Sequence, residues 1–372
     1  MKNLHLPLLC RSPLRPHESL PSLLIRLSIA NAYHSPNMIT WICNERLGRQ
    51  VRISRPTRFE TYQALAKLVR IQVDKLYDAS IHHFASTVVP PTFEQRLTLL
   101  FPEQPVPLLN NYFAQEHTWP ESDAQFCPLC LQESICHQLA WMPLAVSVCL
   151  THCCLLVRGC PQCQSNLYIY DVLKSRCADC GFNLTKAPAV DVSTDEIGLR
   201  SQMVIQSWLG IRSQIDTKYH CVLPNEPAPI LYCFLDGLRK TIMRVKRGWN
   251  HLHDPPNSVP HRFFPCTSKL DITPAKSYIL YTTAFKGIAD WPDGFFRFLD
   301  TYKLHDEQPE NGLILRNLRY LYISWLEKVW QHPAFQFVQE TFDQYLLTRC
   351  SVVSPRLRRV QENPVLKRKF FG

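Results

Sequence analysis

Four short pairs of cysteine and histidine have the residue types and spacing to bind metal. They are Cys127-Pro-Leu-Cys130, Cys149-x-x-His152, Cys160-Pro-Gln-Cys163 and Cys177-x-x-Cys180. Two donors separated by two residues reach one ion from a single tight turn, and two such pairs complete a tetrahedral set. Thiolate and imidazole are the soft and borderline donors that zinc takes. The proline after Cys127 and after Cys160 presets the turn. Pairing in chain order predicts one site from Cys127, Cys130, Cys149 and His152 and a second from Cys160, Cys163, Cys177 and Cys180, each holding one structural Zn2+. A crossed pairing, with the first knuckle joining the fourth pair, uses the same residues. Cys136, Cys153 and Cys154 lie close enough to replace an assigned ligand, although Cys136 and Cys154 read more simply as small buried apolar residues.

Catalytic zinc keeps a coordination position open and needs a general base beside it, whereas both predicted sets are filled by protein. The zinc deaminase signature places H-x-E before P-C-x-x-C. Here the H-x-E at His305-Asp306-Glu307 follows every knuckle and no P-C-x-x-C occurs. The expectation is therefore a non-enzyme, and a zinc-dependent nucleic-acid enzyme is the remote alternative. Neither G-x-x-x-x-G-K-[ST] nor G-x-G-x-x-G occurs, so no nucleotide-binding loop is expected. Ten of the sixteen cysteines lie between Cys127 and Cys180. Without an export signal, that clustering points to metal binding in a reducing cytoplasm rather than to disulfides. No apolar run approaches the roughly 18 residues of a membrane span.

The elements that must position these ligands divide the chain in three: residues 1–120, 121–190 and 191–372. Their net charges of +5, −1 and +6 put the positive potential on the flanks and leave the cysteine-rich centre nearly neutral. The first part reads as helical. Ser19 caps a helix with Pro21 in its first turn and Leu23, Leu24 and Leu27 on one face. Thr61 to Val69 and Val73 to Phe84, joined by a turn near Arg70 to Gln72, have the layout of a helix-turn-helix. The second of these helices should expose Asp74, Lys75, Asp78 and His82, and carboxylates there would repel phosphate. Six prolines between Pro90 and Pro120 predict an extended connector with one short helix near Phe93 to Leu100. Helices are expected again over 196–211, 230–249, 275–305 with an interruption at Trp291-Pro292, and 313–347 with a break at Pro333. The fold class is mainly α, with small β elements in two zinc ribbons.

Two basic stretches could contact phosphate. Arg46, Arg49, Arg52, Arg55 and Arg58 recur every third residue, either as a strip of contacts to a nucleic-acid backbone or as a solvated loop whose arginines pair locally. The tail carries Arg356, Arg358, Arg359, Lys367, Arg368 and Lys369 against Glu362 alone, a composition that suits a nonspecific arm.

The stretch Pro16-His17-Glu18-Ser19-Leu20-Pro21-Ser22-Leu23-Leu24-Ile25-Arg26-Leu27 resembles the P-x-E-S-x-x-S-x-x-x-R-L signature of the TniQ family. The helical pair, Cys127 to Leu131, Trp141, Cys149 to His152 and the later C-P-x-C follow in the family's order, over roughly residues 7–185. Ala289-Asp290-Trp291-Pro292-Asp293-Gly294-Phe295, with Phe298-Leu299, is similar to the W-P-x-x-F segment of the TnsD branch. The resemblance implies a target-selection adaptor of Tn-seven-like transposons, which recruits the AAA+ ATPase TnsC. Some members ride on a CRISPR effector complex of Cascade type with its guide RNA, and others read a DNA attachment site directly. Ending at Gly372, the chain is shorter than expected of direct readers, which favours the RNA-guided class. DNA, contacted mainly through its backbone, and a second copy of the chain are further expected partners, in the bacterial cytoplasm and at the nucleoid.

Overall fold

The computed structural model describes residues 7–35, 37–89, 98–100, 105–120, 123–211, 222–244, 252–256, 272–304, 332–345 and 347–348. The architecture is mainly helical with three two-stranded antiparallel sheets among the described residues. The chain forms two compact units, Met1–Ile215 with Asp254–Ile279, and Asp216–His253 with Leu280–Gly372.

In the first unit, helix α1 (Leu20–Ala30) starts at Ser19, whose Oγ accepts from the Ser22 N–H at 3.3 Å. Pro21 sits in the first turn, where its missing N–H costs nothing. Leu20, Leu23, Leu24 and Leu27 are buried and join Ile39 and Cys43 of α2 (Met38–Leu47), Leu65, Leu68 and Val69 of α3 (Phe59–Val69) and Leu76 of α4 (Val73–Asp78) in one core. Between α3 and α4, Arg70 takes the left-handed conformation at φ 59°, the position where glycine is common.

The second helix of the pair is shorter than the pattern predicts. It ends at Asp78, and a 3-10 turn over Ile81–Phe84 and a short helix α5 (Ala85–Val88) follow. Ser80 causes the break by capping the new turn, its Oγ accepting from the His82 N–H at 3.2 Å. His82 is consequently fully buried rather than exposed, and its Nδ1 accepts from the Leu109 N–H at 3.0 Å. Burial pushes its pKa down to about 4, with Arg55 adding to the shift.

The predicted helix near 93–100 also gives way. Thr98–Leu100 is strand β1, paired with β2 (Pro105–Pro107), and the rest of that prediction lies outside the described residues. A helix the proline count hid, α6 (Asn111–His117), starts where Asn110 Oδ1 accepts from the Phe113 N–H at 2.9 Å.

The signature residues of α1 form a buried lock. Glu18 is 2% exposed and takes a two-pronged contact from Arg26, Nε to Oε1 at 3.0 Å and a terminal nitrogen to Oε2 at 2.7 Å. Ser22 Oγ donates to Glu18 Oε1 at 3.0 Å and accepts from the His137 N–H at 3.2 Å. Ser19 lies 3.0 Å from His137 Nδ1, and its N–H donates to the His137 carbonyl at 2.9 Å. The sequence motif thus fastens α1 to the segment between the first two cysteine pairs.

Helix α9 (Glu196–Trp208) fastens the other side of that segment. Its buried Gln202 accepts from the Ser147 N–H at 3.0 Å and donates to the Ala145 carbonyl at 3.1 Å, while Gln206 donates to the Val148 carbonyl at 3.0 Å. The glutamines satisfy backbone groups that no strand pairs.

The second unit holds α10 (Ala228–Arg244), the later residues of α11 (Pro274–Lys286), α12 (Asp293–Leu304) and α13 (Gln336–Tyr345). Trp291 of the W-P-x-x-F segment stacks on Phe295 at 5.4 Å and meets Phe234 and Phe337 edge-on or tilted at 5.8 and 5.5 Å, so this motif is core. A Cβ at Gly294 would fall 1.9 Å from the Ala289 carbonyl oxygen, which leaves room only for glycine. Phe335 and Phe342 are buried as expected, whereas Tyr320, Leu321, Trp325 and Val329 lie outside the described residues. Among the described residues no helix is long and apolar enough to cross a membrane.

Candidate metal centres

The fold adopts the pairing in chain order. Cys127, Cys130, Cys149 and His152 converge in one cluster and Cys160, Cys163, Cys177 and Cys180 in another, with all ligand atoms within 4.8 Å of one another.

In the first, Cys127 caps helix α7 (Pro128–Glu133) and its Sγ accepts from the Cys130 N–H at 3.4 Å. Strand β4 (Val148–Cys149) delivers Cys149, and the turn before β5 (Cys154–Leu155) delivers His152. His152 Nδ1 lies 3.5, 3.3 and 3.6 Å from the sulfurs of Cys127, Cys130 and Cys149, and the sulfurs of Cys130 and Cys149 are 3.6 Å apart. A tetrahedral ion with zinc–sulfur bonds of ~2.3 Å requires sulfurs about 3.8 Å apart. The donor set and its spacing therefore fit a tetrahedral metal.

Three residues support this centre, two of which the spacing did not reveal. His152 Nε2 lies 3.0 Å from Glu133 Oε1, a carboxylate that orients the ring from behind the ligand shell. Gln125 on β3 (Gln125–Phe126), fully buried, donates to the carbonyls of Trp141 and Val146 at 2.8 and 2.9 Å and holds the loop between the pairs. Cys154 is more than a buried apolar residue. It sits opposite Cys149 in the hairpin register, which brings its Sγ to 3.6 Å from that of Cys127. Contacts from the thiols of Cys130, Cys149 and Cys154 lower the Cys127 thiol, and Cys127 in turn raises those of Cys130 and Cys149, so the cluster loses its first proton at Cys127. Cys136 is buried, in keeping with its reading.

The second centre is built from two turns with the same backbone pattern. Cys160 N–H donates to the Ser165 carbonyl and Gln164 N–H to the Cys160 carbonyl, both at 2.9 Å. Cys177 N–H donates to the Phe182 carbonyl at 2.9 Å and Gly181 N–H to the Cys177 carbonyl at 3.0 Å. Gln164 and Gly181 follow the second cysteine of each turn in the left-handed region, at φ 62° and 74°. Sulfur distances are 3.5 Å for Cys160 with Cys180 and 3.7 Å for Cys163 with Cys177. Ser165, another residue the spacing did not reveal, places its Oγ 3.0 Å from Cys163 Sγ and 3.5 Å from Cys177 Sγ. Its hydroxyl and N–H lower the Cys163 thiol. Against the opposing effect of burial, the same hydroxyl brings Cys177 down to about 6.

Replacing Gly181 by valine should destabilise the second centre by about 1–2 kcal/mol, because a β-branched residue is strained in the left-handed region. Gln164→Gly should be neutral or slightly stabilising. Denaturant midpoints of the two metal-loaded variants check this, and equal effects would mean that the turns carry no strain.

Strand β3 pairs with β6 (Val157–Arg158), which joins the entry to Cys127 with the entry to Cys160. Gln132 of α7 donates to the Thr185 carbonyl at 2.6 Å and ties the end of the second cluster back to the first.

Arg46 lies in the last turn of α2, and Arg49 pairs with Glu60 at 3.7 Å. Arg58 precedes α3 without a side-chain cap, whereas Arg52 and Arg55 line one groove of the first unit. Arg356, Arg358, Arg359, Lys367, Arg368 and Lys369 lie outside the described residues.

No curated protein matches this chain. The model of the TniQ family matches residues 9–156, a stretch that begins before the α1 lock, takes in the helical pair and the whole first metal centre, and ends four residues before Cys160. Residues 9–156, less than half of the chain, form a TniQ domain.

Proposed function

We propose that this protein is a target-selection adaptor of transposition, which joins a CRISPR effector complex carrying its guide RNA to the AAA+ regulator TnsC and so brings transposase to the site. The TniQ domain carries this reading. The chain has no phosphate-binding loop of its own, in keeping with an ATPase on a separate chain. Both ions would be Zn2+ in structural roles, since four side chains surround each and leave no position for a reacting water. The Ser19–His137 contact offers no nucleophile, because both residues are buried and burial lowers the His137 pKa to about 3. The adaptor is a non-enzyme that acts in the cytoplasm and at the nucleoid.

Affinity capture of the tagged protein, expressed with its neighbouring genes, tests this. The expected result is co-purification of a AAA+ ATPase together with an effector and guide RNA. Recovery of one discrete DNA sequence without an effector would make the protein a direct attachment-site reader instead. Recovery of neither would sink the adaptor reading.

A further inference from the structure

Three exposed aromatic side chains of the first unit converge on one groove. It has a volume of about 1150 Å3 and is walled by α1, α2, the loop at Val51 to Arg55 and the start of α8 (Ile169–Lys174). Trp41 is 51% exposed, Tyr168 58% and Tyr170 37%. Rings of this size are ordinarily buried, and exposing several on one concave surface marks a binding face. Arg52 and Arg55 stand on the same groove. The carboxylates among its lining residues are already engaged: Asp123 with Arg158 at 3.0 Å, and Asp171 with the Tyr168 N–H at 2.8 Å. Both are buried, and Arg52, Arg55 and Arg158 against Asp123 and Asp171 leave the lining with one net positive charge.

We infer that this groove binds a single-stranded segment of nucleic acid, with bases stacked on Trp41 and Tyr168 and phosphates held by Arg52 and Arg55. A polynucleotide repeats a planar apolar face and an anionic group in every unit, which is the combination the lining offers. A duplex hides its base faces and could use only the arginines. An acidic peptide would pair with the arginines but supplies no regular flat partner for the rings. The inference deepens the adaptor reading and rests on it for its setting, but its test needs none of the adaptor's partners.

The test is fluorescence anisotropy with the full-length protein and a labelled mixed-sequence strand of roughly 12 nucleotides, as RNA, as DNA and as duplex. Trp41→Ala with Tyr168→Ala should weaken single-strand binding by about tenfold or more and leave duplex binding unchanged. Arg52→Ala with Arg55→Ala should reduce the salt dependence of single-strand binding by about one unit of slope. Circular dichroism and metal content confirm that the variants are folded. A preference for RNA or for DNA identifies the strand, and equal binding means that stacking alone selects it; all three support the site. Absence of single-strand binding, or unchanged affinity in the ring variants, overturns it. So does binding of an acidic tyrosine-containing peptide, lost in those variants, when the oligonucleotides do not bind. Failure to capture an ATPase would sink the adaptor reading and leave this result standing.

Discussion

Cys127→Ser is expected to remove one of the two ions per chain that we propose to be zinc, and to unfold the segment around the first centre. Cys127 is buried, caps α7, accepts from the Cys130 N–H and lies 3.5 Å from His152 Nδ1. The surrounding segment offers little regular structure to fall back on, since β3, β4, β5 and β6 are two residues each. Structural zinc contributes an apparent ~10–16 kcal/mol in small zinc modules, as much as the whole stability of an ordinary domain at ~5–15 kcal/mol. Elemental analysis should return two zinc ions in the wild type and one in the variant, with the near-ultraviolet dichroism of the TniQ domain lost. Cys180→Ser should likewise remove one ion. Because Cys163 is at the surface while Cys127, Cys130 and Cys149 are buried, a chelator should release the second ion first and the first only on unfolding. An unaltered fold after complete metal removal would refute a structural role for either ion.

The second large effect is expected at Arg26. Glu18 is buried, and Arg26 supplies two of the hydrogen bonds that its carboxylate accepts. Arg26→Met leaves that charge without its counter-ion and should cost about 3–5 kcal/mol. The double variant Glu18→Gln, Arg26→Met should recover a large part of the loss, because a neutral amide needs no counter-ion and can still accept from the Ser22 hydroxyl. Urea unfolding of the single and double variants reads the difference. A loss below about 1 kcal/mol in Arg26→Met would place the pair with surface ion pairs and remove the lock from the account of the signature.

The features legible in the sequence are local ones. The Ser19 cap, Pro21 in the first turn, the buried leucines of α1 and the four ligand pairs all depend on residues within a few positions of each other. So does Arg70 at the turn of the helical pair. Where the apolar pattern misled, a side-chain cap or a strand partner decided. The apolar spacing from Val73 to Phe84 runs through Ser80, but the cap that Ser80 makes stops the helix and turns His82 inward. Thr98 to Leu100 is extended because it pairs with β2.

By itself the sequence determined the ligand types, their grouping in pairs and the resemblance to TniQ, because a C-x-x-C turn needs nothing beyond its own four residues. Only the tertiary structure decided which pairs share an ion, since sequential and crossed sets have the same composition and differ in how the chain returns. It also decided the supporting residues. Glu133, Ser165 and Cys154 meet the clusters through a helix, a turn and a hairpin register, and His137 meets Ser19 across 118 positions. The same holds for the groove, whose Trp41 and Tyr168 are brought to one wall by the packing of α1 against both α2 and α8. Contacts over such separations depend on the closed fold, and no spacing along the chain records them.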